Sequence, residues 1–222
     1  PTCAVLEDRV AALEGGVGAL AVASGQAASA YAIQNLAKNG DNIVASSHLY
    51  GGTYNQFKNV MSDMGIEVRF VDPADPQNFA NATDDKTRAY YGEVLPNPSF
   101  EVFPISEVAE IGRPLGIPLI VDNTVATPYL CRPIDFGADI VIHSLTKYID
   151  GHGATIGGII VDAGKFDWAK EPKKYPMLNQ PDPSYHGLIY SEIFGPAAFI
   201  GSCRVGPLRE TGACLSPNNA YI

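Results

Sequence analysis

The stretch "DIVIHSLTKYIDGHG", Asp139 to Gly153, decides how the chain is read. After Asp139, residues Ile140 to Leu145 form an apolar run broken only by His143 and Ser144. A short continuous apolar run bounded by polar turns marks a strand buried on both faces. Ser144, Thr146 and Lys147 then arrive together, before a run of glycine and histidine. Lysine is ordinarily a solvated surface residue. A lysine led toward the interior by an apolar strand points to a pocket that uses its amine.

The pattern repeats on both sides of this stretch. "ALAVAS" (19–24) reads as a buried strand or tight turn, and "NIVASS", "EVRFVD", "TRAYYGEV", "PLIVDNT" and "GGIIVD" read as strands. Between them, "AASAYAIQNLAKNG" reads as a helix closed by Gly40, and "TYNQFKNVMSDMG" as a helix with Gly65 past its end. "ISEVAEIGRPLG" reads as a third, with Pro114 marking a break. Apolar strands spaced by helices predict an α/β fold whose mostly parallel sheet is covered by helices. Ligands of such sheets bind at the carboxyl ends of the strands. Those ends carry Asp122, Asn123, Thr124, Ser144, Thr146 and Lys147. From about Asp162 the texture changes: "KFDWAKEPKKYPMLNQPDPSYHG" reads as a long ordered loop, and "LIYSEIFGPAAFIG" as helical and leading toward a second domain.

Composition narrows the classes. At 222 residues, 46% hydrophobic and 18% charged, the chain can bury a sizeable core and is not disordered. A net charge of -9 with no basic patch argues against nucleic acid as partner, but leaves room for a small anionic ligand. Cys3, Cys131, Cys203 and Cys214 are scattered without a CxxC pair, which fits reduced thiols and a cytoplasmic setting better than disulfides or a zinc ribbon. No run has membrane-spanning length, so no membrane partner is expected. The phosphate-loop, dinucleotide, zinc-protease and nucleophile-elbow patterns are absent. "LEGGVGAL" follows a helical pattern and reads as a helix-ending turn. His143 and His152 lack partners at metal spacing, so no metal is expected.

Four pieces remain, each with an ordinary alternative. Ser24-Gly25-Gln26 opens a helix, where free N–H groups and the dipole suit a phosphate; Ser24 also serves as a plain N-cap. Tyr50, in "SSHLYGGTY", can lay its ring against a flat ligand, or simply pack beside a Gly-Gly turn. Asp122 ends an apolar strand, where a carboxylate must be paired or solvated; it can pair a protonated heteroaromatic nitrogen or cap the next loop. Ser144, Thr146 and Lys147 can hold phosphate oxygens beside an amine made reactive by desolvation, or Lys147 can snorkel from a strand edge. Taken together they describe a site for a phosphorylated aromatic aldehyde, and pyridoxal phosphate fits.

"ASGQAA", "LYGGTYNQF", "IVDNT", "HSLTKYIDGHG" and "YHGLIYSEIFGPAAFI" resemble the Cys/Met-metabolism family of pyridoxal-phosphate enzymes over nearly the whole chain. Within it, the "SGQAA", "LYGGTYNQF" and "DPSYHG…FGPAAFI" stretches are most similar to O-acetylhomoserine sulfhydrylases (O-acetylhomoserine aminocarboxypropyltransferases). The resemblance implies the pyridoxal-phosphate-dependent transferase fold type I, the aspartate-aminotransferase-like fold. It implies Lys147 as the Schiff-base lysine and Asp122 as partner of the pyridine nitrogen. Tyr50 becomes the stacking and acid–base tyrosine. Ser24, Gly25 and Gln26 form the phosphate turn, with the Ser144 and Thr146 hydroxyls added. Asn97 lies near the phenolic oxygen of the cofactor and the substrate carboxylate, and Thr124 under the ring. The implied reaction joins O-acetyl-L-homoserine with sulfide or methanethiol, and the implied assembly is a homo-oligomer, a tetramer by analogy.

The departures also matter. "EVLPNP" puts Val94 where the family has threonine. The family's tyrosine and arginine before "NPT" are absent from a chain that begins at Pro1-Thr2, and so is its substrate-carboxylate arginine. The chain therefore reads as truncated at both ends, with 1–195 as a large cofactor-binding domain and 196–222 as the start of a C-terminal domain. A methionine γ-lyase, a transsulfuration enzyme such as cystathionine γ-synthase, and a catalytically incompetent fragment are the competing expectations.

Overall fold

The computed structural model describes residues 2–222. Pro1, on which part of the "NPT" expectation falls, lies outside the described residues. Seven strands form one sheet in the order β1-β7-β6-β5-β4-β2-β3 among the described residues. They are β1 (Gly18–Val22), β2 (Asn42–Ser46), β3 (Glu67–Val71), β4 (Thr87–Glu93), β5 (Leu119–Asp122), β6 (Ile140–Ser144) and β7 (Gly158–Asp162). The β2–β3, β2–β4, β4–β5 and β5–β6 pairs are parallel. β7 runs antiparallel to both β1 and β6.

The reversal of β7 has a simple cause. No helix carries the chain back from β6 to the opposite edge, so it re-enters the sheet from the edge at which β6 ended. That connection, 145–157, holds Lys147. Because β7 is antiparallel to both neighbours, β1 is parallel to β6. The carboxyl ends of β1, β2, β4, β5 and β6 therefore share one edge.

The α-helices are α1 (Thr2–Glu14), α2 (Gly25–Gln34), α3 (Gly51–Asn55), α4 (Gln77–Asn81), α5 (Ile105–Gly112), α6 (Thr127–Leu130), α7 (Pro176–Asn179), α8 (Tyr190–Phe194), α9 (Ala198–Cys203), α10 (Arg209–Thr211) and α11 (Pro217–Tyr221) among the described residues. α3 runs straight into a π-helical segment, Gln56–Met61. Successive strand residues point to opposite faces, and the core divides accordingly. Leu20, Ile43, Ile120, Ile142 and Ile160 join one apolar cluster with Ala28, Phe57 and Phe199. Ala19, Val44, Val121, Val141 and Val161 join the other with Val10, Val108 and Phe79. Both faces of the inner strands are covered, which is why β2, β5, β6 and β7 read as apolar runs; β3, at the edge, alternates and is only partly buried. Each buried Ile, Leu or Val contributes about 1.5–3 kcal/mol.

β1 stands at the sheet edge, where unpaired backbone groups are a liability. Glu7 of α1 answers it. One carboxylate oxygen accepts the Ala21 N–H at 2.8 Å, and the other accepts from the Arg204 guanidinium at 2.7 Å.

One boundary differs from the sequence expectation. The helix expected to close at Gly40 ends at Gln34. Asn35 is buried; its amide donates to Phe199 O at 2.9 Å and accepts from the Ser202 hydroxyl at 2.9 Å. These ties to α9 turn the chain there, and Leu36 and Ala37 then pack into the core. The long loop after Asp162 also contains α7 and a turn of 3-10 helix, Trp168–Lys170. No helix of the described residues is long and apolar enough to cross a membrane.

Candidate active site

The strand ends on the shared edge surround one cavity of about 380 Å³. Its lining includes Ser24, Gly25, Gln26, Tyr50, Asn97, Asp122, Thr124, Ser144, Thr146 and Lys147. All ten residues singled out from the sequence thus meet in one place. A larger open recess of about 720 Å³ lies at the opposite, amino-terminal edge between α5 and Lys165, and none of the ten lines it. Size alone does not locate the site.

The start of α2 is held by close packing. Ser24 caps the helix: its Oγ accepts the Ala27 N–H at 3.1 Å, and its carbonyl accepts the Ala28 N–H at 3.0 Å. A Cβ on Gly25 would lie 2.7 Å from Ser144 Cβ, and one on Gly158 would lie 2.1 Å from Ser24 O. Only glycine at both positions lets the helix start sit this tightly against the end of β6 and the start of β7.

Asp122 and Thr124 close the ends of β5 and β6. Asp122 Oδ1 accepts the Thr124 N–H at 2.8 Å, and Thr124 Oγ1 accepts the Ser144 N–H at 2.8 Å. The Thr146 hydroxyl accepts the Gly157 N–H at 3.1 Å and donates to Gly157 O at 3.2 Å, closing the neck of the Lys147 connection. Both threonine hydroxyls are thus engaged with backbone. "EVLPNP" keeps its register: Val94 is buried, and its N–H donates to Asp122 O at 3.0 Å.

Lys147 corrects an expectation. It does not lie in the interior: β6 stops at Ser144, and Lys147 follows in a turn closed by its own N–H to Ser144 O at 3.2 Å. Its side chain lines the cavity mouth and is exposed. The apolar run ends two residues sooner than a buried lysine requires.

Pyridoxal phosphate fits the residues present. The Gly25 and Gln26 N–H groups and Ser144 Oγ have no hydrogen-bond partner among the described residues, and they lie together at the helix start, as a phosphate requires. Asp122 has no cationic side chain at ion-pair distance among the described residues, so a cationic ring nitrogen is the kind of partner it lacks. Burial pushes its carboxyl above the usual range, against the pull of the Thr124 hydrogen bonds and the His143 charge.

Sequence reasoning missed Glu93 as a member of the site. It sits beside Asp122 in the β4–β5 register and accepts the Tyr50 N–H at 2.9 Å. Burial first, and the Asp122 charge second, raise its carboxyl to about 8. Burial also raises Asp162 to about 7 and Asp139 to about 6. Acids raised in this way hold protons in the folded chain that the unfolded chain has released. Their stabilisation is complete below about pH 4 and is lost as pH rises through the folded values. The melting temperature of the ligand-free chain is therefore expected to fall as pH rises from about 4.5 to about 8. A flat or rising profile in calorimetry over that window would contradict this assignment of buried protons.

The family model described as Cys/Met metabolism PLP-dependent enzyme matches residues 1–222. The chain is 53% identical to a homocysteine/cysteine synthase of Kluyveromyces lactis, over all of this chain and 50% of that protein. It is 51% identical to an O-acetyl-L-homoserine sulfhydrylase of Leptospira meyeri, over all of this chain and 51% of that protein. A crystal structure of a putative O-acetylhomoserine (thiol)-lyase from Campylobacter jejuni, carrying N'-pyridoxyl-lysine-5'-monophosphate, superposes with a TM-score of 0.95 at 39% identity. That match covers all of this chain and 55% of the other. The chain spans about half the length of the curated relatives it matches.

Proposed function

Because this chain belongs to the Cys/Met metabolism family of PLP-dependent enzymes, we propose that it holds pyridoxal phosphate at the shared strand edge and serves γ-replacement on O-acetyl-L-homoserine. Sulfide or methanethiol is the second substrate, and homocysteine or methionine leaves with acetate. The observation that carries the reading is the meeting of the helix start, the Asp122 carboxyl and the Lys147 amine around one cavity.

The chain's residues divide the work. The Gly25 and Gln26 N–H groups, with Ser144 and the capped turn at Ser24, hold the phosphate. Thr146 keeps the neck of the Lys147 turn closed and faces the same group. Asp122 would pair the ring nitrogen and hold its proton, and the Thr124 N–H fixes that carboxyl. Tyr50 would cover the ring, and Asn97 would meet its phenolic oxygen and the substrate carboxylate. When bound, the cofactor supplies an electron sink conjugated to the substrate Cα. Lys147 would hold the cofactor through its amine, and that amine would take the substrate Cα proton and assist proton loss at Cβ. Tyr50 helps acetate depart from Cγ, and the thiol adds there in its place. In the same reading, residues 1–195 form the cofactor-binding domain and 196–222 begin a second one, in a cytoplasmic homo-oligomer that fits four copies by family analogy. Tyr129, Leu130 and Tyr148 stand exposed, which suits coverage by a second copy.

Product analysis tests the reaction. O-acetylhomoserine with sulfide is expected to give homocysteine and acetate, and methionine supplied alone is expected to be left intact. Release of methanethiol from methionine would replace this reading with a γ-lyase.

A further inference from the structure

Glu93 is a buried acid of the cavity with no part in the roles of Lys147, Tyr50 and Asp122. It is 6% exposed, at the end of β4. Its Cα pairs with that of Asp122 on the neighbouring parallel strand, so both carboxyls project from one face of the sheet, and both line the cavity. Among the described residues no Lys, Arg or His side chain stands at ion-pair distance from either. Two carboxyls side by side in a low-dielectric pocket, with no cation to offset them, do not both ionise at neutral pH.

We propose that Glu93 and Asp122 share a single proton, and that Glu93, charged or neutral, holds Tyr50 in place by accepting its backbone N–H. The identity of the bound ring rests on the function proposed above; the carboxyl pair does not.

The surroundings support this assignment from every side. Beneath the pair lies Tyr91, buried, its hydroxyl 3.2 Å from the Ser29 hydroxyl. Thr53 of α3 also lines the cavity beside Glu93. His143 lies on the opposite face of the sheet, paired with Glu14. Lys147 and Tyr148 stand at the mouth. Behind Glu93, His48 and Glu101 line a narrow cleft of about 140 Å³, which offers the shared proton a route to solvent. Burial and the Asp122 charge raise Glu93 to about 8, while Tyr50 and Thr53 pull it back. Against a cationic ring nitrogen Asp122 would ionise, and Glu93 would keep the proton. A neutral Glu93 still offers a carbonyl oxygen to the Tyr50 N–H, so Tyr50 stays in place as the ring charge is met.

Infrared spectroscopy of the cofactor-free protein, labelled with carbon-13 at glutamate carboxyls, reads the proton directly. A protonated-carboxyl band is expected at neutral pH, absent from Glu93→Gln, with a midpoint near about 8. Asp122→Asn removes the neighbouring charge and is expected to move that midpoint down. A Glu93 that is ionised at neutral pH, or a midpoint unmoved by Asp122→Asn, overturns the shared proton. The Tyr50 link is read by a second pair of variants. Glu93→Gln keeps an acceptor for the Tyr50 N–H and Glu93→Leu does not, so pyridoxal phosphate is expected to bind Glu93→Leu about tenfold more weakly than Glu93→Gln. Equal affinities overturn the link. Failure of O-acetylhomoserine turnover with the band present counts against the proposed function alone, and turnover without the band counts against the carboxyl pair alone.

Discussion

Lys147→Ala is expected to abolish fixation of pyridoxal phosphate to the chain by borohydride, and to lower turnover of O-acetylhomoserine about a thousandfold or more. Lys147 is the one lysine lining the cavity among the described residues. Its side chain is exposed and its amine makes no hydrogen bond or ion pair there, so truncation removes little from the fold. Exposed substitutions away from caps and buried pairs shift stability by about 0.5 kcal/mol or less. An unchanged melting curve beside lost fixation would therefore mark the effect as chemical. Lys147→Arg is expected to fail as well, because a guanidinium keeps its proton at any working pH and is no nucleophile. Peptide mapping after borohydride reads the bond, and product analysis reads the turnover. A Lys147→Ala chain that retained both would sink the assignment.

The sheet was legible in the sequence because it is buried on both faces. Every strand expected is present; in the inner strands covering helices on each side leave little polar alternation, while edge strand β3, "EVRFV", alternates and is only partly buried. Strand direction was less legible. That β7 runs against its neighbours follows from the helix-free connection at 145–157, and a run such as "GGIIVD" carries no mark of direction. The short helices α4 and α6 were missed, because four or five residues hold too little periodicity to read.

The meeting of the ten site residues in one cavity was legible for a different reason. They stand at the ends of parallel strands, and topology gathers those ends whatever the intervening sequence. What the sequence did not reveal was how each side chain is held. Thr124 and Thr146 were read as ligand contacts, yet both hydroxyls also fasten backbone across long sequence separations. Glu93 went unassigned because its significance arises from the residue beside it on another strand. α1 was read only as a helical pattern before a turn. Its buried stripe is Glu7, Val10, Ala11 and Glu14, so two acids stand where apolar residues mark an inward face. The signal available was the i, i+7 spacing of those acids around two apolar residues.

Those acids carry the largest stability effect expected of a single substitution. Glu14, His143 and Asn123 are fully buried, on the face of the sheet opposite the cavity. One Glu14 oxygen lies 2.6 Å from His143 Nε2 and accepts from the Asn123 amide at 2.8 Å. The amide also donates to Cys131 O at 2.9 Å. Glu14→Leu removes the acceptor and strands the imidazole and amide in an apolar interior. Removing one partner of a buried pair costs about 3–5 kcal/mol, a large share of the roughly 5–15 kcal/mol that holds a domain together. Glu14→Gln keeps an oxygen acceptor at the same place and is expected to cost less than Glu14→Leu. Denaturant midpoints of the two variants, compared at equal m-value, measure the difference. The consequence reaches the site as well, because Asn123 follows Asp122 and His143 precedes Ser144 in the chain. A Glu14→Gln protein that folds but binds pyridoxal phosphate more weakly would show the triad setting the strand ends from beneath. A Glu14→Leu chain within about 1 kcal/mol of the parent would mean that His143 and Asn123 find other partners, and that the fold does not depend on this carboxylate.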